Sequence, residues 1–224
     1  MLQADKTNLD LGRQVEQHLK KLGLNTPTID NGLSVDKKMK IIEKHVKAIL
    51  ETLGMDLTDD SLAETPKRVA KMYVKEIFSG LLVENFPKAT VIENKMTTGK
   101  EFVLERNISA YSSCEHHMLP ILGKVTIAYV PKNKVIGLSK MHRLCKHYAK
   151  RMQVQERLTF QIQAALQFIL ETDDVAVYMD AVHTCVSTRG VEDVTSSTVT
   201  LAAGGVFNTN DVLRGEFLAE ARKP

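Results

Sequence analysis

Apolar residues first recur at a helical spacing after Ser34: Val35, Met39, Ile42, Val46, Ile49 and Leu53 fall on one face before Gly54. That pattern predicts a helix capped by Ser34 and ended at Gly54, because a serine hydroxyl can satisfy a free amide at the start and glycine tolerates the left-handed exit. Ser61 and Glu64 form the two ends of a capping box, with Pro66 in the first turn and Gly80 at the exit, and predict a second helix. The period then shortens. Residues 101–111 and 123–130 alternate as strands do, so Val125, Ile127 and Tyr129 share one face. Pro131, Lys132 and Asn133 make a turn, and a helix is expected from Ser139. A longer helix is predicted from Gln155 to Glu171, with Leu158, Ile162, Leu166 and Ile169 inward. Two more strands, 175–183 and 195–202, precede a short helix near 211–221. Residues 1–33 read as a loosely specified helix followed by the polar connection Asn25-Thr26-Pro27-Thr28. Strands and helices come in blocks rather than in strict alternation, so the expected class is α+β with an antiparallel sheet.

Composition narrows this picture modestly. The chain has 224 residues, 43% hydrophobic and 25% charged, enough for one large domain or one domain with a helical appendage. A net charge of +3 and a pI near 8.6 are too mild for a protein that lives on nucleic acid, so an anionic partner needs a local cluster of cations. No apolar run approaches the roughly 18–20 residues of a bilayer span. The start, MLQADKTNLDLGRQVEQHLKK, lacks the apolar core of a signal peptide, and the expected location is the cytoplasm, with no membrane partner. Cys114, Cys145 and Cys185 are odd in number and widely spaced, which argues against a disulfide framework and leaves metal binding, catalysis or plain burial.

The most informative segment is Ser113-Cys114-Glu115-His116-His117. Cys114 and His117 are three positions apart and can reach one metal ion from a single turn. A closed structural zinc site needs a second close pair of ligands, and none is present. His183-Thr184-Cys185 stands much further along; in a strand, His183 and Cys185 would look to the same side. Cys114, His117 and Cys185 then make a three-ligand set whose fourth position is open to water, the pattern of catalytic zinc. A plainer reading competes with it: scattered cysteines are most often small buried hydrophobes, and His116 and His183 would then be ordinary core or surface residues. Cys145, in a predicted helix among basic residues, is read as buried.

A second group suits an anion. Ser139, Lys140 and Arg143 open a predicted helix, where free amides and two cations on one face favour phosphate. Arg189 follows the His183/Cys185 pair closely, and Arg68 and Lys71 form another cationic spot on the second helix. Equally, Lys140, Arg143, Lys146, Lys150 and Arg151 make a plain charged surface or a nucleic-acid stripe, although Tyr148 is the lone aromatic among them. Gln155 and Glu156 open the next helix. A carboxylate there can accept from a paired N–H edge, but Glu in a first turn is also favoured by the helix dipole.

Taken together, CEHH, GLSK, QVQERLT, HTC with its following RG, and ETPKRVAKMY resemble the signatures of the GTP cyclohydrolase I family, in the same order and at similar spacings. The resemblance covers residues 35–221 and is densest over 59–205. It implies a tunnelling-fold subunit, an antiparallel sheet backed by helices, with an N-terminal helical region over 1–58 and a catalytic domain over 59–224. It also implies a ring-shaped homodecamer with active sites between subunits, and zinc-dependent hydrolysis of GTP to 7,8-dihydroneopterin triphosphate and formate at the start of tetrahydrofolate and pterin synthesis. By the same resemblance, Cys114, His117 and Cys185 are the zinc ligands, and His116 and His183 the catalytic histidines. Gln155 and Glu156 match the guanine-anchoring pair and Ser139 the residue near the ribose; Lys140, Arg143, Arg189, Arg68 and Lys71 match the triphosphate contacts. Met96–Lys100 has the look of a variable loop, and residues 1–33 match nothing in the family pattern.

Overall fold

The computed structural model of the protein describes residues 4–96 and 101–223, so the expected loop at Met96–Lys100 lies, from Thr97 onward, outside the described residues. Three helices come first: α1 (Leu9–Lys21), α2 (Val35–Thr52) and α3 (Thr65–Met72). Asn8 caps α1 through a bond from the Leu11 amide, and Ser34 caps α2 as its sequence position predicts, accepting from the Lys37 amide at 3.3 Å. The capping box does not form. Glu64 makes no side-chain cap, and the Ser61 hydroxyl donates to Asp59 at 2.6 Å instead; a carboxylate two residues back is the nearer acceptor. Pro66 does stand in the first turn of α3, which widens into a π-turn over Tyr73–Ile77 and ends in a short turn containing Gly80.

Gly80 is required there by close approach rather than by an unusual backbone angle. A Cβ built on it would lie 2.0 Å from the carbonyl oxygen of His147, in α4, and 2.8 Å from that of Lys150 just past the helix end, both backbone atoms. Gly80→Ala is expected to lower the melting temperature by about 6–12 °C, read by thermal denaturation; an unchanged midpoint would mean that this turn parts freely from the helix beneath it.

The remaining elements are β1 (Val91–Glu93), β2 (Val103–Cys114), β3 (Pro120–Tyr129), β4 (Lys134–Ile136), α4 (Leu138–Ala149), β5 (Met152–Gln153), α5 (Gln155–Leu170), β6 (Val175–His183), α6 (Thr184–Ser187), β7 (Thr198–Ala203), α7 (Val206–Thr209) and α8 (Asp211–Ala221). The main sheet has the order β5-β2-β3-β6-β7 and is antiparallel except where the two residues of β5 run beside β2. β1 and β4 form a separate antiparallel pair. The expected α+β class and its blocks of strands and helices are therefore what the chain adopts.

Helices α4 and α5 cover one face of this curled sheet, burying Leu144, Tyr148, Leu158, Ile162 and Leu166 against Ile108, Val125 and Ile127. Tyr129 shares that face as predicted, but its neighbour Ala128 is equally buried. The reason lies on the other face, where α7 and α8 pack Phe207 and Phe217 over Ala128, Val130 and Ala176. Two starts differ from expectation. α4 begins at Leu138 with Gly137 as its cap, leaving Ser139 inside the first turn with no capping bond. β7 begins at Thr198 rather than 195, because the Asp193 carboxylate accepts from the amides of Thr195 and Ser196 and holds that stretch as a turn.

The N-terminal segment is built into the core. Val15 and Leu19 of α1 are fully buried against the α5 side. Arg151, only 4% exposed, pairs with Glu16 at 2.6 Å, donates to Thr26 Oγ1 and to His147 Nε2, and stacks on the Tyr148 ring. Burial, then the Arg151 charge, push His147 well below the usual imidazole range, so its Nε2 is free to accept. By contrast, no residue of α2 is fully buried, and the apolar stripe that predicted it leaves Ile49 59% and Leu53 70% exposed. Among the described residues, no helix is long and apolar enough to cross a membrane.

Candidate metal centre and active site

β2 ends at Cys114, and the chain reverses into β3 within a few residues. The Met118 amide donates to the Cys114 carbonyl at 2.8 Å, the Cys114 amide to the Leu119 carbonyl, and Met118 takes a left-handed φ of 58° to close the turn. Two side chains pin the turn to α5. Glu115 pairs with Arg157, whose Nε also donates to Gln153 Oε1, while the Glu115 amide donates to the Gln153 carbonyl. Cys114 is thereby held nearly buried, with His116 and His117 exposed on the same turn; His116 Nδ1 lies 3.7 Å from Cys114 Sγ.

Cys185 arrives by a different geometry from the one expected. β6 ends at His183, and Cys185 sits in the single helical turn of α6, so the shared strand face does not exist. The register of β3 with β6 sets Ile121 beside His183, and the Thr184 hydroxyl donates to the Pro120 carbonyl at 2.7 Å. The turn that follows folds the thiol back toward Cys114. The ligand atoms of Cys114, His117 and Cys185 all lie within 4.8 Å of one another, and these three are the one such metal-competent group found among the described residues. Two sulfurs and an imidazole suit zinc, whose bonds of roughly 2.3 Å to sulfur and 2.0–2.1 Å to nitrogen fit donors at this spread and leave a fourth position. Burial raises the Cys185 thiol above its usual range, the neighbouring Cys114 raises it further, and Arg189 opposes both. A divalent cation is the partner that lets both thiols ionise together. Arg189 also donates to His117 Nε2 at 2.9 Å.

His183 is half-buried, with its Nε2 2.7 Å from Gln155 Oε1. Burial lowers its pKa and the nearby Glu156 carboxylate works against that. Gln155 is 1% exposed, whereas Glu156 faces solvent from the first turn of α5. Within the chain, then, Cys114, His116, His117, Gln155, Glu156, His183, Cys185 and Arg189 gather at one end of the sheet.

The remaining candidates lie elsewhere. Ser139, Lys140 and Arg143 belong to the start of α4, which is tied to the opposite end of β2 by His142 on Glu105 at 2.8 Å. Cys114 lies nine strand steps from Glu105, a span of roughly 25–30 Å. Arg143 there lines a basic cleft of about 300 Å³ with Lys75, Lys146 and Lys150. Arg68 and Lys71 are exposed on α3, whose packing partners are α2 and the π-turn. Glu115, Arg157 and Thr184, which steady the cluster, escaped the sequence reasoning; the one signal for them was their position inside or beside the CEHH, QVQERLT and HTC segments.

A curled α+β sheet that ends in a three-ligand thiolate and imidazole cluster, with an unligated histidine beside it, defines a candidate metalloenzyme. Comparison with known proteins is more specific. The sequence profile of GTP cyclohydrolase I matches residues 42–222. Proteins named GTP cyclohydrolase 1 are 54% identical over 213 residues in Shewanella amazonensis, covering 95% of this chain and 98% of the relative. In Vibrio vulnificus the identity is 55% over 204 residues, covering 91% of this chain and 94% of the relative. The chain belongs to the GTP cyclohydrolase I family and is a hydrolase.

Proposed function

We propose that this protein is a zinc-dependent GTP cyclohydrolase I of the cytoplasm, converting GTP and water to 7,8-dihydroneopterin triphosphate and formate at the entry to pterin and tetrahydrofolate synthesis. The observation that carries the reading is the convergence of Cys114, His117 and Cys185 beside His183 and Glu156. Zinc held by those three side chains supplies Lewis-acid activation of water near neutral pH. Purine carbon 8 is a poor electrophile until its ring is protonated, and His183 supplies that proton at nitrogen 7. Addition of water at carbon 8 opens the imidazole ring to a formamide, and a second water releases formate. Ribose rearrangement and ring closure follow, with Ser139 near the sugar. Glu156 accepts from the N1–H and 2-amino group of guanine, a charge-assisted pair, and its neighbour Gln155, 1% exposed, supports that end of the site from within. His116, beside Cys114, moves protons or steadies the triphosphate, and Arg189 contributes a cation next to the metal site.

The subunit is read as a tunnelling fold assembled into a homodecamer. Three features support that reading. Ser139, Lys140 and Arg143 stand too far from the cluster to meet the same GTP within one protomer, so they, with Arg68 and Lys71, reach the triphosphate from neighbouring copies. Among the described residues, β7 is an edge strand and β2 is covered on its outer side only by the short β5, which leaves hydrogen-bonding edges for adjacent subunits. The exposed apolar stripe of α2 offers further contact area.

Purified protein incubated with GTP should release formate and, after oxidation, fluorescent neopterin in equal amounts, with both abolished by a zinc chelator. No formate from folded, zinc-loaded protein would overturn the reading and point to another purine or pterin substrate.

A further inference from the structure

Gln155 offers no free surface to a ligand, yet its side chain makes more directed bonds than any other near the metal centre. Its Nε2 faces three acceptors: the carbonyl oxygens of Met179 at 3.2 Å and Thr198 at 2.8 Å, and Thr200 Oγ1 at 3.1 Å. Its Oε1 faces His183 Nε2 at 2.7 Å. The hydrogen positions follow from counting protons. The Thr159 hydroxyl donates its single hydrogen to the Gln155 carbonyl at 2.9 Å, so in its 2.7 Å contact with Thr200 it accepts. Thr200 has then spent its own hydrogen on Thr159 and can only accept from Gln155. The two backbone carbonyls can only accept as well. Reversing the amide would set oxygen against all three, so Nε2 points to β6 and β7 and Oε1 to the histidine. An amide oxygen donates nothing, and the hydrogen between Gln155 and His183 therefore sits on the histidine.

We propose that Gln155 is a positioning residue that acts through His183: it holds the ring by its Nε2–H and so leaves Nδ1 as the nitrogen that exchanges a proton with the substrate. This rests on the reading of His183 as the proton donor in the reaction above. In the neutral ring Nδ1 carries the lone pair. In the charged ring both nitrogens carry hydrogen, and the Nδ1 proton is the one free to leave while the Nε2 proton stays on Gln155 Oε1. The same bonds fix the ring plane, because Gln155 is itself tied to two strands and to its own helix through Thr159 and Thr200. A wrongly oriented or wrong-tautomer imidazole is a known way to lose most of a histidine's catalytic contribution.

The test is a double-mutant cycle of Gln155→Met and His183→Ala, with kcat and KM for GTP, zinc content and thermal stability measured on all four proteins. Methionine keeps the length and volume of glutamine and removes its polar ends. Gln155→Met alone is expected to lower kcat by about 10- to 100-fold, with KM and zinc nearly unchanged. In the His183→Ala background the same change is expected to cost less than about twofold, since the group it serves is gone. Equal losses in both backgrounds, or an effect confined to KM, would overturn the proposal and return Gln155 to direct contact with the base. If His183→Ala alone turns over GTP normally, the proton-donor reading fails and the proposal falls with it, a result distinct from the first. Should Gln155→Met not fold, Thr200→Val leaves both residues in place and loosens the amide; a loss of about fivefold in kcat that vanishes in the His183→Ala background supports the proposal, and one that persists overturns it.

Discussion

Cys185→Ala is expected to lose both bound zinc and turnover. Cys185 is one of only three side chains in the single metal-competent group found among the described residues, and its loss leaves two. Removing an outer-shell partner of a metal ligand already costs about 10–100-fold in metal affinity or activity, and loss of a ligand itself should exceed that. The fold has little stake in the change, because Cys185 is only partly buried and lies in a one-turn helix at the end of β6. Metal analysis after dialysis, beside a thermal melt and a formate assay, checks the expectation: the melt stays cooperative while zinc and formate disappear. Stoichiometric zinc in the variant would remove Cys185 from the ligand set. Cys145 provides the contrast, since it is fully buried in α4 and burial pushes its thiol up to about 12, so it has no thiolate to offer a metal.

His183→Ala should separate chemistry from metal binding. Loss of one general acid costs a factor of about 10²–10⁴, and the histidine is not one of the three converging ligands. The expected outcome is a protein with nearly full zinc content whose formate release falls by that factor. Normal turnover would show that another group protonates the purine ring. The two variants form a pair: one empties the metal site, the other leaves it filled beside a missing acid. A finding that both lose zinc equally would mean that His183 holds the cluster together and would displace its catalytic reading.

Long amphipathic segments were legible in the sequence because their apolar period is repeated over several turns. α5 starts at Gln155 as predicted, and Leu158, Ile162, Leu166 and Ile169 all face the sheet. α2 is capped by the residue its position suggested. Short polar signals were less reliable because a nearer partner can outbid them: Asp59 takes the Ser61 hydroxyl, Gly137 caps the helix that Ser139 was expected to open, and Asp193 delays β7. In the site, the spacing of Cys114 and His117 was informative since both ligands lie on one turn. Cys185 was matched to them for a reason that does not hold, a shared strand face, and reaches them through a helical turn instead. The supports were invisible for a simpler reason. Glu115 and Arg157, or Gln155 and Thr200, are far apart in sequence, and no local period records that their side chains meet.

The guanidinium of Arg151 sets an order of events while the chain is being made. Its carboxylate partner, Glu16, and Thr26 leave the ribosome well before it; the Arg151–Glu16 bond closes across 135 residues. At roughly 5–20 residues per second, α1 waits about 7–27 s for its counter-charge. Throughout that interval Val15 and Leu19, fully buried in the finished protein, have no α5 to cover them. The nascent chain therefore carries α1 with its apolar face unsheltered, and that helix docks only once α5 has been synthesised.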